Sequence, residues 1–202
     1  TVEAQTVKYE MLEGQTGYLS VSEFDSVTYA QYEEALNELT DQGMTGLIVD
    51  LRNNPGGNLN TVCEMLDLVL PKGTIVYTED KDGKRETATS DDEHQINVPM
   101  VVLVNGNSAS ASEIYAGAIQ DFCISKFVAT QTYGKGVVQQ IFDLGDGTSV
   151  KLTIAEYFTP NGRSIDGEGI TPDVEVEYEA DENNPEADNQ LEKALEVMKE
   201  EQ

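Results

Sequence analysis

The sequence predicts one layered α/β domain with an antiparallel β edge, and three observations predict it. Two short runs, GLIVDL (46–51) and PMVVLVN (99–105), are almost continuously apolar, as strands buried on both faces are. Segments with apolar residues at helical spacing stand before and after them, so strands and helices alternate. Beyond Lys126 the helical period gives way to the strand-like segments KFVAT, VVQQIFDL and TSVKLTIAEYF, the last two joined by Gly145-Asp146-Gly147 as in a hairpin.

Each element has a local cause. Gly17 to Phe24 alternates apolar and small polar residues, the pattern of a half-buried strand. Thr28 and Gln31 have the spacing of a capping box, and Tyr29, Tyr32, Leu36 and Leu39 then recur at helical intervals until Gly43 offers a left-handed stop. After GLIVDL and the turn RNNPGGN, a helix is predicted from about Leu59 to Leu70, with Val62, Cys63, Leu66 and Val69 on its apolar face. The strand GTIVYTED and a turn at 81–84 lead to PMVVLVN, and a further helix is expected from about Ser110 to Asp121. ADENNPEADN (180–189) has the composition of a linker, after which Leu191, Ala194, Leu195 and Met198 mark a terminal amphipathic helix.

The bulk composition excludes several functions. The 202 residues suffice for one substantial core. With 38 acidic and 12 basic residues the formal charge is -26, which repels nucleic acid and anionic lipid. No apolar run approaches the roughly 18 residues of a membrane helix. The opening TVEAQTVKYEML lacks both the basic start and the apolar middle of a signal peptide, so the chain reads as a piece of a longer protein. Cys63 and Cys123 are far apart and in no zinc-ligand spacing, which excludes a structural zinc site and leaves their pairing open.

The single histidine, His94, lies in the charged stretch DDEHQIN, where it reads as a solvated side chain or a weak metal site with Asp91, Asp92 and Glu93. A catalytic serine in this chain therefore needs another base. Lysine serves only when neutral, so its pKa must fall from ~10.4 to about 7–8 by burial. Lys135, in TYGKGVVQQIF, fits best: glycines flank it, and neither Asp nor Glu occurs between Ser125 and Phe142. Strand parity places Lys135, Val137 and Gln139 on one face, where Gln139 can orient the amine. The plain alternative is a snorkelling lysine on an edge strand.

In VLVNGNSASASEI a buried strand turns into a helix among small residues, and a side chain at the helix start sits beside unpaired backbone N–H groups. Ser110 fits as a nucleophile, yet Ser110 with Glu113 also fits an ordinary capping box, and Ser108 and Ser112 compete with it. In DLRNNPGGN, Gly56 and Gly57 follow a central strand and can expose an oxyanion donor, with Arg52 and Asn53 bracing the loop. An ordinary turn before a helix is the alternative.

Taken together, GYLSVSEF, GLIVDLRNNPGG, VVLVNGNSASASEIYAGAIQD, TYGKGVVQ, LTIAEYFTPNGRSI and GITPDVEV resemble, in this order, the blocks of the C-terminal processing (tail-specific) peptidases, which have a ClpP/crotonase-like fold. The resemblance runs from about Gly17 to Val176. It implies Ser110 as nucleophile, Lys135 as general base, Gln139 as the third residue, and the backbone N–H groups of Ala111 and of Gly57 or Gly56 as the oxyanion hole. Asn107 stands where many members carry glycine. The resemblance also implies a peptidase core over 17–179 and an upstream PDZ domain from which 1–16 leads away, with 180–202 as linker and helix. Polypeptide substrates, no cofactor or metal, and an extracytoplasmic location with an anchor upstream complete the expectation. Two rivals are a catalytically silent peptide-binding core and a crotonase-type acyl-group enzyme, for which the chain is poor in phosphate-binding basic residues.

Overall fold

The computed structural model describes residues 4–91, 93, 95–185 and 187–202; His94 and Asp92 beside it lie outside the described residues. The main sheet has six strands in the order β1 (Val7–Leu12), β2 (Thr16–Val21), β3 (Gly46–Asp50), β6 (Met100–Val104), β7 (Ser125–Ala129), β10 (Val174–Glu175). From β2 onward all pairs are parallel, and β1 is antiparallel to β2. β3 and β6 are buried along their whole length, which is why their sequences do not alternate.

Helices α1 (Thr28–Asp41), α2 (Leu59–Asp67) and α3 (Ala111–Asp121) cross over between these strands. They cover one face, where Leu36, Leu66 and Ile119 pack with Leu47, Val49, Val102 and Val104. The other face carries α4 (Asn189–Glu201), whose Ala194, Val197 and Met198 pack on Ile48, Val101 and Leu103. The pleat of each central strand thus feeds two cores.

The main sheet has the expected antiparallel edge, but β1 supplies it rather than the strands near the C-terminal hairpin. Those strands belong to a second sheet, in the order β5 (Arg85–Ser90), β4 (Gly73–Asp80), β9 (Ser149–Phe158), β8 (Val137–Asp143). Its inner face joins the α1–α3 core through Ile75, Val76 and Tyr157. Among the described residues, five of the seven exposed large hydrophobic side chains lie on the β8–β9 hairpin: Ile141, Phe142, Leu144, Leu152 and Ile154.

Four further details differ from the sequence reading. β1 lies within the segment read as a lead-in, and β5 was not foreseen at all. Phe24 is not in β2 but bridges in parallel to Gly57. The Thr28–Gln31 capping box is not made. The Thr28 hydroxyl instead accepts from the Asp25 N–H, and Gln31 Oε1 accepts from the N–H groups of Thr6 and Val7, fastening the N-terminal segment to α1. Both cysteines are free, and burial pushes the Cys63 thiol up to about 11, as in an inert core cysteine. Among the described residues no helix is long and apolar enough to cross a membrane.

Candidate active site

β6 ends at Val104, and the turn from Asn105 to Ser110 carries the chain into α3. The three serines of this turn are in different situations. Ser108 is fully buried, donates to the Leu51 carbonyl at 2.8 Å and accepts from the Asn105 N–H. Ser112 is fully buried and donates to the Asn54 carbonyl at 2.9 Å. Ser110 is half-exposed at the N-cap of α3, and its φ of 57° and ψ of -112° place a non-glycine residue in a strained backbone region. Geometry therefore leaves Ser110 as the serine of this turn that faces outward.

The NPGG turn lies against it. A Cβ added to Gly56 would sit 2.9 Å from both Ser110 Cβ and Ala111 N, and φ there is 102°. Only glycine allows this approach. Gly57 lies as tightly on the Phe24 carbonyl, with φ of 148°. Asn54 is fully buried and holds the two turns together: its side-chain oxygen accepts from Gly56 N–H, its amide donates to the Val21 carbonyl, and its own carbonyl accepts from Ala109 N–H. The Gly56 N–H is thereby occupied. Among the described residues the N–H groups of Gly57 and Ala111 have no hydrogen-bond acceptor in the protein.

Lys135 stands two residues before β8 and is half-buried, less enclosed than the sequence reading expected. The glycines on either side are required: Gly134 has φ of 88°, and a Cβ on Gly136 would overlap the Asp166 backbone. Acids distant in sequence surround this loop after all. Gly136 N–H donates to Asp166, and Lys135 N–H donates to Glu113. Among the described residues the Lys135 ammonium is in no ion pair and shares no hydrogen bond with the Ser110 hydroxyl. Gln139 is exposed on β8; the bulge beside it falls on β9, where Ile154 is the extra residue, so β8 keeps its alternation.

Glu113 joins the two halves. It is fully buried, yet its two oxygens accept four hydrogen bonds. Oε2 accepts from Ser110 N–H at 2.9 Å and Lys135 N–H at 2.8 Å, while Oε1 accepts from the Thr132 hydroxyl and Gly134 N–H, both at 2.6 Å. A carboxylate so saturated replaces its lost hydration with fixed donors.

A model of peptidase family S41 matches residues 15–176. The chain belongs to peptidase family S41. S41 relatives include a carboxyl-terminal-processing protease of Synechocystis, 42% identical over 90% of this chain and 43% of the relative. The carboxy-terminal processing protease CtpA of Bacillus subtilis is 36% identical over 88% of this chain and 38% of the relative. A solved photosystem II D1 C-terminal processing protease superposes with a TM-score of 0.79 at 34% identity, over 87% of this chain and 49% of that one. An S41 protease of Bacteroides fragilis shares the fold, with a TM-score of 0.82 at 18% identity over 99% of this chain and 59% of that one. The chain thus spans less than half the length of these curated S41 relatives.

Sequence reasoning on this S41 core missed two groups. Glu113 was read only as the partner of a cap, although a lone acid inside the apolar helix segment ASEIYAGAI was a visible signal. Arg52, read as a brace, is only 12% exposed and forks two carboxylates, Asp50 at 2.6 Å and Asp188 at 2.7 Å. Burial alone would lower its pKa, but these two partners raise it further above the arginine range. Burial and then the neighbouring Asp50 charge likewise raise the Tyr18 phenol, which donates to Asp50. Asp188 has no sequence pattern that points to the site.

Proposed function

We propose that this chain is the catalytic core of a C-terminal processing serine peptidase that cleaves polypeptides with Ser110 as nucleophile and Lys135 as general base. The observation that carries this reading is the Glu113 bridge, since one carboxylate oxygen binds the backbone N–H groups of both Ser110 and Lys135. Two segments far apart in sequence are tied at the residues the chemistry requires.

In this scheme the Ser110 hydroxyl attacks the scissile carbonyl while neutral Lys135 takes its proton. The oxyanion is received by the N–H groups of Gly57 and Ala111, which have no acceptor of their own. Gly56 is the spacer that lets this turn approach, rather than a donor. Collapse of the adduct breaks the C–N bond, and Lys135 returns the proton to the leaving amine. Water then enters and attacks the acyl ester while giving a proton to Lys135, which passes it to the departing Ser110 oxygen, so that the product acid is released and both side chains are restored. Gln139 is assigned to orienting the amine. Lys135 is only half-buried, so a bound polypeptide would cover the part of it that still faces water.

The substrate is an extended polypeptide. β8, which begins just after Lys135, is the outer strand of its sheet and offers unpaired backbone groups. A groove of about 300 Å³ on this sheet has a mixed lining, with Leu59, Val138 and Ile154 beside Asp80, Lys84 and Glu86, and suits a substrate side chain with an apolar stem and a polar end. An upstream PDZ domain that recruits substrate and an extracytoplasmic site of action belong to this reading through the family resemblance alone.

A fluorophosphonate probe tests it. The probe should label the parent chain and should fail on both Ser110→Ala and Lys135→Ala. Full reactivity in Lys135→Ala would end the dyad assignment. A silent peptide-binding core is the second reading, favoured by the missing hydrogen bond between the Ser110 hydroxyl and the Lys135 amine. Peptide binding without any labelling would select it.

A further inference from the structure

α4 is the only helix on its face of the main sheet among the described residues, and its first turn reaches the catalytic turns through one side chain. Asp188 is the N-cap of α4: Oδ1 accepts from the N–H groups of Gln190 and Leu191. The same carboxylate receives Arg52, with Nη1 on Oδ1 at 3.0 Å and Nη2 on Oδ2 at 2.7 Å. Gln190 adds a third acceptor to the guanidinium at 3.0 Å. Arg52 is thus fixed between β3, through Asp50, and the start of α4.

From Arg52 a continuous chain of contacts reaches both oxyanion donors and the nucleophile. Asn53, next to it, has a left-handed φ of 60°. Its N–H donates to the Asn105 side chain, and its side-chain oxygen accepts from the amides of Asn105 and Asn107, at the base of the turn that ends in Ser110. Asn54 follows and holds Gly56, Ala109 and Ser112. Between α4 and these turns lies a cleft of about 550 Å³, lined in part by Arg52, Asn105, Tyr178 and Asp188. Across this gap Arg52 reaches Asp188 and Gln190 at the start of α4.

We infer that Asp188 is a positioning residue for catalysis: by anchoring Arg52 it makes the docked C-terminal helix a condition for correct placement of the Gly57 and Ala111 donors around Ser110. The rate consequence rests on the proposed Ser110/Lys135 chemistry; the structural coupling does not. A peptide segment that competes for Arg52, or one that undocks α4, would reach the active site through this residue.

Asp188→Asn tests the inference because asparagine still caps α4 but turns an N–H₂ toward one arm of Arg52. Asp188→Ser, also a good cap, guards against an effect peculiar to asparagine. Three quantities are measured beside the parent and the exposed α4 variant Glu196→Gln: peptidase kcat and KM, the fluorophosphonate labelling rate, and peptide-level hydrogen exchange. Both Asp188 variants should lose about ten-fold in kcat and in labelling rate with KM near the parent value, a loss larger than any accompanying fall in Tm accounts for. Exchange should rise over 50–62 and 105–118 but not across β6. If exchange in these two turns stays at the parent level, the coupling is wrong whatever the activity. Raised exchange in the turns with no labelling of the parent chain would keep the coupling and discard the Ser/Lys chemistry instead. Rates that fall only in proportion to Tm would reduce Asp188 to a helix cap.

Discussion

The backbone N–H groups of Ser110 and Lys135 meet on a single oxygen of Glu113, at 2.9 and 2.8 Å, inside a fully buried environment. The spacing of the Ser110 and Lys135 segments is therefore set by their shared carboxylate oxygen, and the bridge uses backbone groups of both residues rather than their side chains.

Glu113→Gln should be severely damaging. Glutamine offers only one acceptor oxygen, so its N–H₂ must face either the N–H groups of Ser110 and Lys135 or the Thr132 hydroxyl and the Gly134 N–H. About 2–4 kcal/mol of stability should be lost, measured by urea unfolding, with peptidase activity reduced at least about a hundred-fold. Retained activity would show that the bridge does not set the site.

The three serines should separate stability from activity. Ser108→Ala and Ser112→Ala each remove a buried side-chain hydrogen bond, and the former also leaves the Asn105 N–H without its acceptor; each should cost about 1–2 kcal/mol while leaving fluorophosphonate labelling intact. Ser110→Gly should do the reverse, abolishing labelling and raising stability by about 0.5–1 kcal/mol, because glycine relieves the positive φ. Lower stability in Ser110→Gly would argue against strain at that position.

Gly57→Ala should lose both properties, since a methyl group there overlaps the Phe24 carbonyl at φ of 148°. Unfolding midpoint and labelling rate should fall together, whereas Gly83→Ala, at an exposed turn with open space, should lose only about 1 kcal/mol through its left-handed φ.

Acid should weaken the attachment of α4. Burial pushes the Asp188 carboxyl up, but the hydrogen bonds from Arg52 and from the Leu191 and Gln190 N–H groups outweigh it and hold the carboxyl below its usual range. A carboxyl with a depressed folded value stabilises the fold above its unfolded pKa of ~3.9, and that contribution disappears as pH falls through the folded value. Urea midpoints followed downward from neutral pH should drop less steeply in Asp188→Asn than in the parent; equal slopes would contradict this.

Much of the fold could be read from local pattern. GLIVDL and PMVVLVN became β3 and β6 because burial on both faces removes polar alternation, and Ser110 was found at a helix start because small residues must surround such a turn. What could not be read were partnerships between distant residues. Periodicity states which face of β8 and β9 is apolar, but not that they leave the main sheet to pair with β4 and β5. Likewise Glu113 made sense as the partner of a helix cap and Asp188 as part of a linker, and nothing local revealed that Lys135 or Arg52 would arrive at these carboxylates. Lys135 was expected to be enclosed because its own segment lacks acids, yet enclosure depends on what folds over it.

The β8–β9 hairpin has a consequence for how molecules of this protein meet. It displays Ile141 at 67% exposure and Leu144 at 60%, on a molecule whose formal charge is -26. In dilute buffer, long-range repulsion keeps two such tips from touching; added salt shortens that repulsion to a few ångströms and leaves the oily contact untouched. Self-association should therefore grow with ionic strength, opposite to the behaviour of a protein held together by ion pairs, and sedimentation velocity across a salt series would show which way the balance moves.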